Sequence, residues 1–440
     1  MISQKPAVLS VLAECEGEEL AGMTLADETL APFVRDVREL HGASVSRKGS
    51  HWFVAEPTSK LSLRYKVDLE GMARETDSFD AAMRVGESLV APASSYMLYP
   101  DPLRVGVPVT VRFAGSTKVA TGLRHGATKD SYVLEAHEIP VATYTTFGNF
   151  AQRHVPLQGS QSTIKLSVLD GKLDTDVDTL KSWVNDAAVA VSSFWQRFPD
   201  DETMVTIVPI EGRSGVLFGK VLPESAPGVV LMVGEHTTKE QLYADWVLVH
   251  EFFHIGFPSF HQEGKWLDEG LATYFEPIIR ARAGWIDEEQ VWEEFVSAMP
   301  QGLGALRNIG LEKGTDYRDV YWGGAIYCLL ADVEIRERTG ARSGLENGLH
   351  AVLQAGGNSS EVWSLQKTLE VADGAVGVPV LSGLAKNYAY QPGPVDLNKL
   401  WKKLGVVRTP RGMRLDDHAP LASVRRAIVQ AGPLTSVAKR

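Results

Sequence analysis

Residues 237–276 read TTKEQLYADWVLVHEFFHIGFPSFHQEGKWLDEGLATYFE, and the rest of the chain is best read outward from them. Thr237 with Glu240 three residues later is the pattern of a capping box, and Pro258 stops the apolar run, so the spacing predicts one helix over 237–257. His250 and His254 lie one helical turn apart on that helix, with both imidazoles on one face, able to share one ion. Glu251 follows the first histidine, where its carboxylate reaches a water at such an ion without ligating it. A catalytic zinc ordinarily keeps three protein ligands, so one more must come from downstream. Gly256, Pro258 and Gly264 supply a turn, and the helical pattern after it, 266–276, offers Asp268, Glu269 and Glu276. Trp246, Leu248, Val249, Phe252 and Phe253 read as packing residues, and His261 as an exposed loop residue or a cleft liner. Arg280 and Arg282 read as a solvated helix end, the alternative being that they bind a substrate carboxylate.

Upstream of this block the chain changes character twice. Residues 1 to about 155 carry strand-like runs at 51–55, 61–67, 96–99, 105–113 and 132–136, separated by Gly, Pro, Asp and Ser, as in a sandwich of short antiparallel strands. A first strand is expected at 7–13. Leu30, Phe33, Val34, Val37 and Leu40 recur at helical spacing, which predicts a helix over 28–41. Strands follow at 163–169, 204–209, 214–218 and 228–233, with a helix over 178–198 marked by Leu180, Trp183, Val184, Ala187, Val191 and Phe194. From about 237 onward the pattern is nearly all helical. The expected class is α+β, with an N-terminal β-sandwich-like domain (1–158), a mixed α/β domain carrying the histidines (159–300) and a C-terminal helical domain (301–440).

Composition narrows the function. Of 440 residues, 44 are Lys or Arg and 55 are Asp or Glu, a net charge of -11, which argues against a general nucleic-acid binder. With only two cysteines, Cys15 and Cys328, neither a disulfide framework nor a Cys-rich metal site can form. Cys328 sits in an apolar run and reads as core. No apolar run approaches the length of a membrane span. Lys5 and the short apolar patch after it run at once into the acidic stretch 14–19 with no clear cleavage site, so they read as a first strand in preference to a signal peptide. Localisation and oligomeric state stay open.

The block Trp266-Leu267-Asp268-Glu269-Gly270 resembles the gluzincin superfamily, which includes the membrane alanyl aminopeptidases and the glycyl aminopeptidases. Their second helix carries Trp-Leu-Asn/Ser-Glu-Gly, and the Glu before the Gly is the third zinc ligand. The resemblance implies Glu269 in that role and one Zn2+ per chain on His250, His254 and Glu269, in a thermolysin-like catalytic domain behind a β domain. Glu276, two turns further along the same face, then reads as orienting His250 or His254 from behind, and Asp268 has a similar claim. Tyr321-Trp322-Gly323-Gly324-Ala325 is similar to the Tyr-x-Lys-Gly-Ala segment of these enzymes, which implies Tyr321 as a hydrogen-bond donor to the oxyanion. Gly323 stands where the family has Lys, and Tyr317 and Tyr327 flank the position. The aminopeptidases also carry a Gly-x-Met-Glu-Asn strand whose Glu holds the substrate's free amine. The corresponding stretch here, 214–233, has Glu224 as its single acidic residue.

The expected function is zinc-dependent hydrolysis of peptide bonds, with Glu251 as general base and a peptide or unfolded protein as substrate. The strand at 228–232 is expected to form the cleft edge, where an extended peptide adds as a strand. Without the family's Glu, the reading leans to endopeptidase action. Strict aminopeptidase action would need another carboxylate, such as Glu211 or Glu224, at the amine. Two further readings use the same fold: a peptide-binding scaffold that does not cut, which the retained Glu251 argues against, and an enzyme acting on a non-peptide amide or epoxide.

Overall fold

Along Val8–Thr24 the side chains alternate between exposed and half-buried, the period of a strand with one face on a core. It pairs antiparallel with the long strand His51–Asp68, from Val8 opposite Asp68 to Thr24 opposite His51. Val34–Glu39 and Val45–Lys48 add to the other side of that long strand, and Tyr99–Pro100 to the end of the first. Trp52, Leu61, Leu63, Tyr65 and Val67 point from this sheet into a core shared with Leu30, Phe33 and Val34. Two smaller antiparallel sheets complete the region, one centred on Tyr132–Glu135 and one built on Ser88–Pro92 and Tyr144–Gly148. Helix α1 (Leu69–Thr76) follows the long strand, and Asp68 caps it by accepting from the Gly71 N–H at 2.8 Å.

The computed structural model describes residues 8–222, 226–260, 263–410 and 412–430. Contacts divide the chain into two compact units, residues 1–181 with 200–238 and residues 182–199 with 239–440. The positions 158 and 300 both fall inside a unit.

The helix expected over 28–41 does not form. Glu28–Phe33 is a short 3-10 segment, and Val34–Glu39 is a strand. Pro32 lies inside the segment, lacks an N–H and disfavours helical dihedrals before it, while β-branched Val34 finds its partner in Val67 across the ladder.

A five-stranded mixed sheet also belongs to the first unit, in the order Phe150–Pro156, Thr163–Leu169, Glu202–Ile210, Gly228–Gly234, Val216–Leu222. The two inner pairings are parallel and the two outer ones antiparallel. This corrects the expected edge: Gly228–Gly234 is an inner strand, and Val216–Leu222 is the edge. The reason is visible in composition. Val229, Val230 and Leu231 are an unbroken buried run, as inner strands require, whereas the edge strand carries Lys220 and is half-buried along most of its length.

The second unit is helical. Helix α2 (Val177–Trp195) belongs to it from Ser182. Then come α3 (Lys239–Ala244), α4 (Val247–His254), α5 (Lys265–Arg282), α6 (Glu288–Ala298) and α7 (Gly324–Thr339). Five shorter helices follow: α8 (Leu345–Gln354), α9 (Leu365–Val376), α10 (Val380–Tyr388), α11 (Leu397–Leu404) and α12 (Ala422–Val429). A small hairpin, Val406–Thr409 with Gly412–Leu415, interrupts them. All eight residues of α4 are buried, so it is a core helix, apolar on every face except where its histidines and Glu251 sit. Phe253 packs among Phe194, Trp195 and Phe275, with ring centroids 5.5, 5.1 and 5.7 Å away. Phe252 meets Phe198 edge-on at 5.4 Å. Burying each such ring contributes roughly 1.5–3 kcal/mol. Cys328 is fully buried, as read. Among the described residues, no helix is long and apolar enough to cross a membrane.

Candidate metal centre

The single helix expected over 237–257 is two. Helix α3 ends at Ala244, whose carbonyl accepts from Arg280 Nη1 at 3.3 Å, and the Asp245 carboxylate accepts from the Val247 N–H at 2.7 Å to begin α4. Side-chain bonds of this kind compete with the helical ladder and break it here. The Thr237 hydroxyl donates to the Gly234 and Gly215 carbonyls. Burial pushes the Asp245 carboxyl up to about 6, against the pull of the Val247 N–H and Arg280.

Helix α4 ends at its second histidine. Gly256 follows two residues later, and a β-carbon there would lie 2.2 Å from the Trp195 ring, so the chain can turn past this tryptophan only as glycine. Ser259 is pinned by backbone bonds to Glu361 and Trp363, and Gly264, at φ +98°, starts α5. The tight return brings the second turn of α5 onto α4.

There the three groups singled out from the sequence converge. His250 Nε2 and His254 Nε2 are 3.2 Å apart, and Glu269 Oε2 lies 3.4 Å from each. All three are buried or nearly so. Tetrahedral ligands about 2.0–2.1 Å from a zinc ion stand roughly 3.3 Å from one another. The observed spacings fit that set. The donors, two imidazoles and one carboxylate, are those zinc takes in hydrolytic sites. Behind them, His254 Nδ1 bonds Asp268 Oδ1 at 2.8 Å, which fixes the tautomer so that Nε2 faces the centre. Burial alone would lower the His254 pKa, but the Asp268 and Glu269 carboxylates outweigh it and hold it well above the usual value. Burial likewise works against ionised Glu269, yet its bonds to His250 and His254 keep it below the usual carboxylate range.

Glu276 does not reach either histidine. It pairs with Arg280 at 2.7 Å, and Arg280 also bonds Glu294 at 3.0 Å. This corrects the expectation that Glu276 orients a histidine: its position on the α5 face carries it past the triad to a buried arginine. Neither arginine is at a solvated end, since Arg282 donates to the Ile428 and Val429 carbonyls and pairs with Glu346.

Tyr321 lies on a π-helical turn, Arg318–Gly323, directly before α7. Its ring stacks on His250 at 5.7 Å with an interplanar angle of 2°. Burial, then Glu269 and Glu251, raise its pKa far above the usual value, so the phenol keeps its proton. Glycines permit this approach. A β-carbon on Gly324 would meet the Trp266 carbonyl oxygen at 1.9 Å, and one on Gly270 would meet Gly324 at 2.4 Å, so α5 and α7 touch backbone to backbone. The Gly323 that replaces the family's Lys packs against Ala305 and Leu311, each 3.1 Å from where its β-carbon would sit. Tyr317 packs on Tyr321 with the rings tilted by 33° and 4.4 Å apart and is 51% exposed, whereas Tyr327 is buried and donates to the Leu381 carbonyl.

Trp246 is not a packing residue. It is 38% exposed and sits edge-on to His250 at 5.2 Å. Glu211 is an exposed residue 3.9 Å from Lys172. Glu224 and His261 lie outside the described residues. Glu312 was missed from the sequence. It contacts the start of α5 from 46 and 48 residues away, and no local spacing announces it.

Neither the protein-family models nor the curated proteins give a match to this sequence. Solved structures do. An aminopeptidase N family protein from Idiomarina loihiensis is similar at TM-score 0.68, with 15% identity, over 91% of this chain and 76% of that one. A variant M1 zinc metallopeptidase from Deinococcus radiodurans gives 0.52, with 14% identity, over 88% and 91%. A variant of the same description, bound to a Tyr-Ser-Ala substrate, gives 0.51, with 14% identity, over 88% and 87%. With an antiparallel β region first and a helical region last, the chain has the fold of this aminopeptidase N family protein and of these M1 zinc metallopeptidases.

Proposed function

We propose that this protein is a zinc-dependent peptidase in which His250, His254 and Glu269 hold one Zn2+, Glu251 is the general base and Tyr321 stabilises the oxyanion. The observation that carries it is the convergence of two imidazoles and a carboxylate at 3.2–3.4 Å, the separations of a tetrahedral zinc set. Zinc in such a set supplies Lewis acidity, which acidifies water and polarises a carbonyl. Glu251, buried on α4 beside His250, takes the attacking water's proton on its carboxylate and returns it to the leaving amine. Tyr321, held protonated, donates its hydroxyl to the oxygen where negative charge develops. Asp268 keeps His254 in the tautomer whose Nε2 lone pair faces the centre.

The substrate reading is a peptide, supported by the same-fold enzyme that is bound to Tyr-Ser-Ala. Internal cleavage is favoured over strict removal of N-terminal residues, because the described residues of 214–233 contain no carboxylate to hold a free amine.

The test is Glu251→Gln. Purified wild type should carry one zinc per chain and cleave a mixed peptide library until a chelator is added. The variant should keep its zinc and lose turnover by at least ~10²-fold, the usual cost of removing a general base. Near-normal turnover in the variant would remove Glu251 from its role.

A further inference from the structure

Helix α5 presents Glu269 from its second turn, yet its first turn has no capping side chain of its own, since Gly264 occupies the N-cap. The leading N–H groups of a helix need partners from elsewhere. Here a partner comes from a distant turn. Glu312, on the 3-10 turn Leu311–Lys313, extends its carboxylate back to α5. Its Oε1 accepts from the Gly264 N–H at 3.0 Å and from the Trp266 indole N–H at 2.6 Å. An anion at this end of a helix also meets the positive end of its dipole. Leu311, beside Glu312, packs on Gly323, two residues past Tyr321. The turn that carries Glu312 therefore touches both the start of the Glu269 helix and the segment that presents Tyr321.

We propose that Glu312 is a positioning residue: it caps α5 from outside and braces it against the Tyr321 segment, holding Glu269 in register with His250 and His254. This rests on the zinc-peptidase reading above. Glu312 touches neither the triad nor a substrate, and acts through Trp266 and the α5 backbone. A carboxylate that must stand 3.4 Å from two imidazoles at once tolerates little drift in the helix beneath it.

The experiment measures zinc affinity by competition with a chelator, together with thermal stability, in the full chain. Glu312→Ala should weaken zinc binding by about 10- to 100-fold, as loss of supporting bonds around a metal site does. Glu312→Gln, whose amide oxygen can still accept both N–H groups, should restore it. Asp373→Ala is the control for a merely structural cap. Asp373 accepts from the N–H groups of Leu381 and Ser382, at 2.8 and 2.9 Å, in the same manner on α10, a helix with no candidate ligand. It should lower thermal stability and leave zinc affinity unchanged. If Glu312→Ala lowers stability while zinc affinity stays at the wild-type value, the proposal fails. If Glu312→Ala does not fold, Trp266→Phe, which keeps an aromatic ring and removes the N–H, is read by the same two outcomes. Wild-type zinc content is measured first. A wild type without zinc removes the metal reading and this inference with it, whereas a wild type with one zinc and an unmoved Glu312→Ala removes this inference alone.

Discussion

Asp268 and Glu269 are adjacent carboxylates with different tasks, and the helix decides which does which. Successive residues on a helix point about 100° apart, so one carboxylate reaches the space between the imidazoles while the other reaches behind His254. Asp268→Asn keeps the size and removes the charge that supports the His254 N–H. Zinc affinity should fall by about 10- to 100-fold while the ion still binds, whereas His254→Ala should lose most of the zinc. Elemental analysis and chelator competition on the two variants check this, and equal zinc loss in both would make Asp268 a ligand in its own right. The facing histidine pair was legible because a helix turns local spacing into geometry. Choosing among Asp268, Glu269 and Glu276 needed more than spacing, since all three lie on one helix and only the packing of α4 on α5 sets which carboxylate meets the imidazoles. Arg280, buried beyond the triad, is what claims Glu276.

At the scale of elements, the break between α3 and α4 has a measurable signature. Asp245 is half-buried, and its pKa of about 6 lies above the roughly 4 of an unfolded chain. Between those values the folded state binds more protons than the unfolded one, so this group's contribution to stability falls as pH rises through the window. The loss is on the order of 1–3 kcal/mol for a shift of this size. Asp245→Asn still accepts from the Val247 N–H and does not titrate, so its stability should change less between pH 4 and pH 7 and exceed wild type at the upper end. Urea denaturation of both proteins at the two pH values checks it; parallel profiles would mean that Asp245 does not hold its proton. The break was hidden from the sequence because one of the two bonds that make it comes from Arg280 on α5, 36 residues from Ala244. The strand over 163–169 was legible to the residue, being a short apolar run between turn residues. The segment at 28–41 was misread because a helical spacing of five apolar residues outweighed Pro32. The inner place of Gly228–Gly234 was not legible because strand order is set by pairing partners, which periodicity does not name.

At the scale of the whole molecule, the mode of cleavage is the open functional question. The edge strand Val216–Leu222 carries a lysine and no carboxylate. On the proposed endopeptidase reading, a substrate with a blocked N-terminus loses no ion pair. Two peptides of one sequence, one free and one acetylated, should be cut internally at comparable rates, with fragments identified by mass. Stepwise loss of single residues from the free peptide alone would show aminopeptidase action and would require a carboxylate at the amine.

The chain enters each compact unit twice: residues 182–199 leave the first for the second, and 200–238 return before the second resumes at 239. No single cut separates the two. A fragment beginning at residue 239 would keep every group of the candidate centre yet lack Phe194, Trp195 and Phe198, which pack against Phe252 and Phe253 on the histidine helix. During synthesis the first unit is not complete until residue 238 has emerged, and the aromatic segment of the second must wait for the helices it packs against. A minimal version of this protein cannot be made by trimming from one end; it would need the 182–199 segment supplied separately, as a second fragment or through a rejoined chain.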